Sequence, residues 1–169
     1  MVKQYPFFVY GTLIPGQPND YLWEDCIEKA EQGVLVGGRL FDMGSFPMLI
    51  EGGWETVAGK LMFPYKELPE EDYQLLVQRL DTLENYDPEN VEDSPYYRVL
   101  RSVLVGNDKP ITAWVYLGRP QYTDRRPLIN DGNWIAYSAK VHSHIATWWE
   151  ERGHALLFGE TTDTTDGKD

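Results

Sequence analysis

Apolar residues fall in short runs and alternations, broken every ten residues or so by glycine, proline or asparagine. Residues 5–10 (YPFFVY) form a continuous apolar and aromatic run, the pattern of a strand covered on both faces. Residues 34–41 (VLVGGRLF) predict a strand with a glycine-marked bend. After a loop at 42–47 (DMGSFP), residues 48–50 make a short apolar return and 55–65 (ETVAGKLMFPY) a further strand. Two more strands, 96–105 and 111–117, flank the turn 106–110 (GNDKP). Helical spacing is present three times. Residues 20–32 carry Tyr21, Leu22, Cys26, Ile27 and Ala30 as apolar positions, with Asn19 or Asp20 as cap and Gly33 as stop. Residues 68–86 carry the clearest helical pattern, opened by Glu70, Glu71 and Asp72, which favour the helix dipole. Residues 134–151 are the third. Between them lie an acidic loop at 85–95 and a loop at 120–132. These elements predict an α+β fold, a small mixed β-barrel or curled sheet flanked by helices. One domain is expected over 1–159, followed by a polar, disordered tail at 160–169.

The helix at 68–86 breaks its own pattern. At about 100° per residue, Tyr73, Leu76, Val77 and Leu80 share a stripe, and Gln74, Gln78, Thr82 and Asn85 oppose it. The stripe continues into Glu84, four residues after Leu80, with Leu83 beside it. A carboxylate aimed at a core is costly unless paired or protonated, and burial raises its pKa, as a general base or acid requires. Two ordinary outcomes compete: a frayed helix end that turns Glu84 to solvent, or an ion pair with Arg79, Arg98 or Arg101. Asp81, at the edge of the stripe, reads as a structural partner.

Composition narrows the classes. Fifteen basic against 27 acidic residues leave a formal charge of −12, a field that repels nucleic acid and anionic lipid. No nucleic-acid or membrane partner is expected, and a homo-oligomer is left open. The single cysteine, Cys26, forms no internal disulfide and reads as a small buried hydrophobe. No run approaches the length of a membrane helix, and the opening apolar run is too short for a signal peptide, so the expected location is cytoplasmic. His142 and His144 are two apart, which on a helix points them away from each other, so no metal site is expected there. His154 reads as a surface residue. Trp134, Trp148 and Trp149 read as docking residues of the last helix.

Three segments together resemble the gamma-glutamylcyclotransferase-like family. The first is Val9-Tyr-Gly-Thr-Leu13; the following Gly16-Gln-Pro-Asn19 resembles the gamma-glutamylamine cyclotransferase branch. The second is Leu80-Asp-Thr-Leu-Glu84, followed by Tyr97 and Arg98. The third, weaker, is Ser45-Phe-Pro-Met-Leu49. Asn85 stands where many members have glycine after the glutamate, and Ile14 where Lys or Arg is frequent.

The resemblance implies that an α-amine attacks its own γ-carbonyl, giving 5-oxoproline and a released amine or amino acid, with no metal or organic cofactor. It implies Glu84 as the proton shuttle and the small-molecule gamma-glutamyl substrate on the backbone amides of Tyr10, Gly11, Thr12 and Leu13. Tyr116, Ser45 and Phe46 would line the pocket. Arg98 is expected to pair with Asp81 or another acid, the alternative being a substrate carboxylate, with Tyr97 undecided. The competing expectation is a binding or regulatory module on the same fold without turnover.

Overall fold

The structure is a computed structural model that describes residues 3–142. The chain divides into two compact units, one running to Trp134 and the other beginning at Ile135. The first unit holds six strands: β1 (Phe7–Val9), β2 (Ile27–Asp42), β3 (Pro47–Pro64), β4 (Tyr96–Val105), β5 (Lys109–Gly118) and β6 (Leu128–Ile129). It also holds helix α1 (Glu70–Leu83). The helix α2 (Trp134–Val141) begins on the last residue of the first unit and continues from Ile135 in the second, and His142 follows it. Residues 143–151 of the predicted last helix, the 160–169 tail, His144, His154, Trp148 and Trp149 lie outside the described residues. No helix among the described residues is long and apolar enough to cross a membrane.

The sheet runs β3-β1-β5-β4-β2-β6, and β2 also pairs with β3, so the pairings return to their start and curl the sheet onto itself. All pairings are antiparallel except β1 with β5, where Phe7 aligns with Trp114. The apolar run at the N-terminus explains its place. Phe7, Phe8 and Val9 are all buried, between β3 and β5, with successive side chains on opposite faces. Phe7 and Val9 join the cluster built on Tyr73, Leu76, Val77 and Leu80 of α1. Phe8, with Leu61 and Val103, closes on Gly33 from the other face. Burying the α1 stripe contributes about 1.5–3 kcal/mol per large side chain.

Two sequence expectations change. The helix predicted over 20–32 is one turn of 3-10 helix at Asp20–Trp23, and Ile27 onward is strand. Lys29, Ala30 and Gln32 pair with Phe63, Met62 and Lys60 of β3, so cross-strand pairing overrides the helical spacing. Gly33 is therefore mid-strand, where a Cβ would stand only 3.0 Å from Val103 Cγ1. The separate strands at 48–50 and 55–65 are one strand, β3, bulging outward through Gly52, Gly53 and the exposed Trp54 opposite Gly37. Gly37, at φ 90°, marks the predicted bend in β2.

Candidate active site

Three connections converge at one end of the sheet: the loop after β1, the β2–β3 turn and the end of α1. The loop after β1 is fixed from within. Ile14 and Gln17 amides donate to Gly11 O and Ile14 O, and the Asn19 amide to Thr12 O. Asn19 Nδ2 donates to Thr12 Oγ1 at 2.9 Å, and the Trp23 indole to Leu13 O at 2.8 Å. The carbonyls of residues 11–14 are thereby occupied, whereas the amides of Gly11, Thr12 and Leu13 donate to nothing among the described residues. Gly11 is required by close approach: a Cβ there would lie 2.7 Å from Cδ and Cγ of Pro47.

Helix α1 ends in a Schellman arrangement. Tyr86 N–H donates to Asp81 O and Asn85 N–H to Thr82 O, with Asn85 at φ 58°. Asparagine tolerates this left-handed conformation. The turn makes Glu84 the helix cap, at the negative end of the dipole.

Glu84 is half-buried and lines a cavity of about 550 Å³. Burial, and then the neighbouring Asp81 carboxylate, push its pKa up to about 7. No arginine or lysine among the described residues pairs with it. Arg98 forks onto Asp81 at 2.8 and 3.2 Å, Arg101 is held by Glu51, and Arg79 donates to Leu22 O and approaches Glu24. The ion pair considered for Glu84 from the sequence is thus replaced by one on Asp81. Asp81 is buried, and its Oδ1 also accepts from the Tyr116 hydroxyl at 2.6 Å. Arg98 completes its environment over the Trp114 ring, 4.2 Å from the centroid.

The same cavity is lined by Tyr10, Gly11, Thr12, Leu13, Ser45, Phe46 and Tyr116, so the structure brings the sequence-derived candidates together around Glu84. Their hydroxyls differ in use. Tyr10 donates to Tyr116 O at 2.6 Å, and burial holds its phenol well above the ordinary value. Tyr116 is committed to Asp81, and burial first, then that carboxylate, raise its pKa. Ser45 is exposed at the mouth, as is Phe46.

Tyr97 is not among the lining residues; its ring stacks under Arg119. Tyr96, which sequence reasoning passed over, does line the cavity; it donates to Pro47 O at 3.0 Å, and its pKa is raised by burial and then by Glu84. Strand alternation holds the missed signal: Tyr96 is two residues from Arg98 and shares its face, toward α1.

Known proteins supply a fold and a family. Among solved structures, YkqA from Bacillus subtilis aligns at 20% identity over 82% of this chain with a TM-score of 0.57; the chain spans 42% of YkqA's length. The uncharacterized protein PH0828 from Pyrococcus horikoshii aligns at 17% identity over 83% of this chain and 98% of its own, with a TM-score of 0.52. The uropathogenic E. coli-specific protein c4763 aligns at 16% identity over 82% of this chain and 98% of its own, at a TM-score of 0.51. At such identities the likeness establishes the fold alone. No curated protein matches the chain. The family described as gamma-glutamyl cyclotransferase, AIG2-like, matches residues 7–136, which takes in every lining residue of the cavity. The chain belongs to the gamma-glutamyl cyclotransferase, AIG2-like family.

Proposed function

We propose that the protein closes a gamma-glutamyl amide on itself, forming 5-oxoproline and releasing the free amine, with Glu84 as base and then acid. Family membership supports cyclotransferase-type chemistry. The observation that carries the finer reading is Glu84 itself: an unpaired, half-buried carboxylate with its pKa near 7, in one cavity with the free amides of Gly11, Thr12 and Leu13.

The steps follow from those groups. The substrate's α-ammonium loses a proton to the ionised Glu84 carboxylate and becomes a nucleophile. Its nitrogen attacks the γ-carbonyl carbon of the same molecule, closing a five-membered lactam ring. The attack is intramolecular, and the cavity's part is to hold the substrate chain folded with the amine against the carbonyl carbon. Backbone donors of the Tyr10–Leu13 loop fit the substrate's carboxylate or the carbonyl oxygen on which negative charge builds. Protonated Glu84 then returns its proton to the departing nitrogen as the C–N bond breaks, and the ring nitrogen gives up its second proton to the released amine, which leaves as the ammonium. A carboxyl group with a pKa near 7 suits both halves, because it accepts and gives back the proton at modest cost.

The test is a panel of gamma-glutamyl amino acids and amines incubated with the protein, following 5-oxoproline and free amine. Turnover is expected, reduced about 10²- to 10⁴-fold in kcat for Glu84→Gln. A protein that binds members of the panel and releases no 5-oxoproline would be a binding module on this fold. Undiminished turnover by Glu84→Gln would remove Glu84 from the reaction.

A further inference from the structure

Tyr10, Tyr96 and Tyr116 line the cavity with Glu84, and each has already spent its hydroxyl proton. Tyr10 donates to Tyr116 O at 2.6 Å, Tyr96 to Pro47 O at 3.0 Å, and Tyr116 to Asp81 Oδ1 at 2.6 Å. All are buried, and burial raises each phenol above its ordinary pKa, so the protons stay in place. The Glu84 charge raises each of them further, which groups their hydroxyls around that carboxylate. A phenol whose O–H is committed has only lone pairs left to offer. The backbone N–H of Leu49 acts on the Tyr10 oxygen. The oxygens of Tyr96 and Tyr116 accept from nothing among the described residues.

We propose that Tyr96 and Tyr116 complete, with Glu84, an acceptor-only pole that binds the substrate's α-ammonium before its proton is lost. Resting on the cyclisation reading, this pole extends it to the way the nucleophile is held. An ammonium carries three N–H donors, and the pole supplies three acceptor groups, a carboxylate and two phenol oxygens. Without them, an ammonium entering a largely aromatic wall would lose water uncompensated. Glu84 takes one proton, and the phenols hold the two remaining N–H bonds while the nitrogen lone pair attacks the γ-carbonyl carbon. The same commitment bars these tyrosines from the opposite task. With no O–H to give, neither stabilises negative charge on the carbonyl oxygen. That task falls to the amides of Gly11, Thr12 and Leu13, whose protons are free.

Binding, rather than turnover, reads the pole. L-Glutamate and glutarate differ only in the α-ammonium, and calorimetry on the full chain gives a Kd for each. Wild type is expected to prefer L-glutamate; equal affinity would overturn the pole. Tyr96→Phe and Tyr116→Phe each remove an acceptor without changing charge. Each is expected to weaken L-glutamate about tenfold and leave glutarate within about twofold. A loss shared equally by both ligands would mean a merely structural role and would overturn the pole, as would no loss. Because Tyr116→Phe also takes a donor from Asp81, a second comparison uses wild type alone. N,N,N-Trimethyl-L-glutamate keeps the positive charge, has no N–H to give, and is expected to bind at least about tenfold more weakly than L-glutamate. Equal or tighter binding of the trimethyl ligand would assign the cation to aromatic ring faces instead. The fate of the cyclisation is read separately. Selective loss of L-glutamate in the variants, with no 5-oxoproline from wild type, keeps the pole and rejects the reaction. Turnover by wild type with an unchanged ligand ratio in both variants keeps the reaction and rejects the pole.

Discussion

At the scale of single residues, the carboxylate pair Asp81 and Glu84 divides two tasks by environment. Asp81 accepts from Arg98 and Tyr116. Glu84, three residues on, has no cation and is raised by burial and by Asp81. For the free enzyme, kcat/KM should therefore rise with pH through about 7, as Glu84 ionises. In Asp81→Asn protein the like charge is gone, and the ascending limb should move to lower pH; an unmoved midpoint would deny Asp81 its influence. The same shift has a sign for stability. A carboxyl group whose folded pKa lies above its unfolded value near 4.5 weakens the fold progressively as pH climbs from there through 7. Glu84→Gln should then be more stable than wild type at pH 8, by about 1–2 kcal/mol after discounting for partial exposure, and equal to it near pH 4. Thermal unfolding at the two pH values reads this directly. Glu84 was legible in the sequence because the stripe of α1 runs into it. Tyr96 was not, because two adjacent tyrosines open β4 and only the placement of Arg98 tells which one faces the helix.

At the scale of elements, the site depends on how α1 ends and what holds it to the sheet. Asn85 at φ 58° closes the helix and sets the direction of Glu84. Asn85→Gly should be nearly neutral, whereas Asn85→Val should cost about 1–2 kcal/mol in denaturant unfolding, because a branched Cβ is strained there. The Arg98 fork binds β4 to α1, and both partners are largely buried, at 14% and 9% side-chain exposure. Arg98→Ala strands Asp81 without its cation and should destabilise by about 3 kcal/mol, more than an exposed pair such as Lys29 with Glu31. The pair was readable as an expectation, because Asp81 and Arg98 stand at the edges of elements that must meet. The first half of β2 was not. From Ile27 to Gln32 its side chains are mostly exposed, and within that stretch its partner is β3 alone, so the two-residue alternation of a half-buried strand is missing. Helical spacing filled the gap with a pattern that cross-strand pairing then overruled.

At the scale of the whole molecule, the fold class followed from runs of strands punctuated by glycine, but the closed circuit of pairings did not. It depends on β1 meeting β5 in parallel, more than a hundred residues along the chain, and on β4 meeting β2 at Gly33 and Val34; neither contact leaves a local pattern.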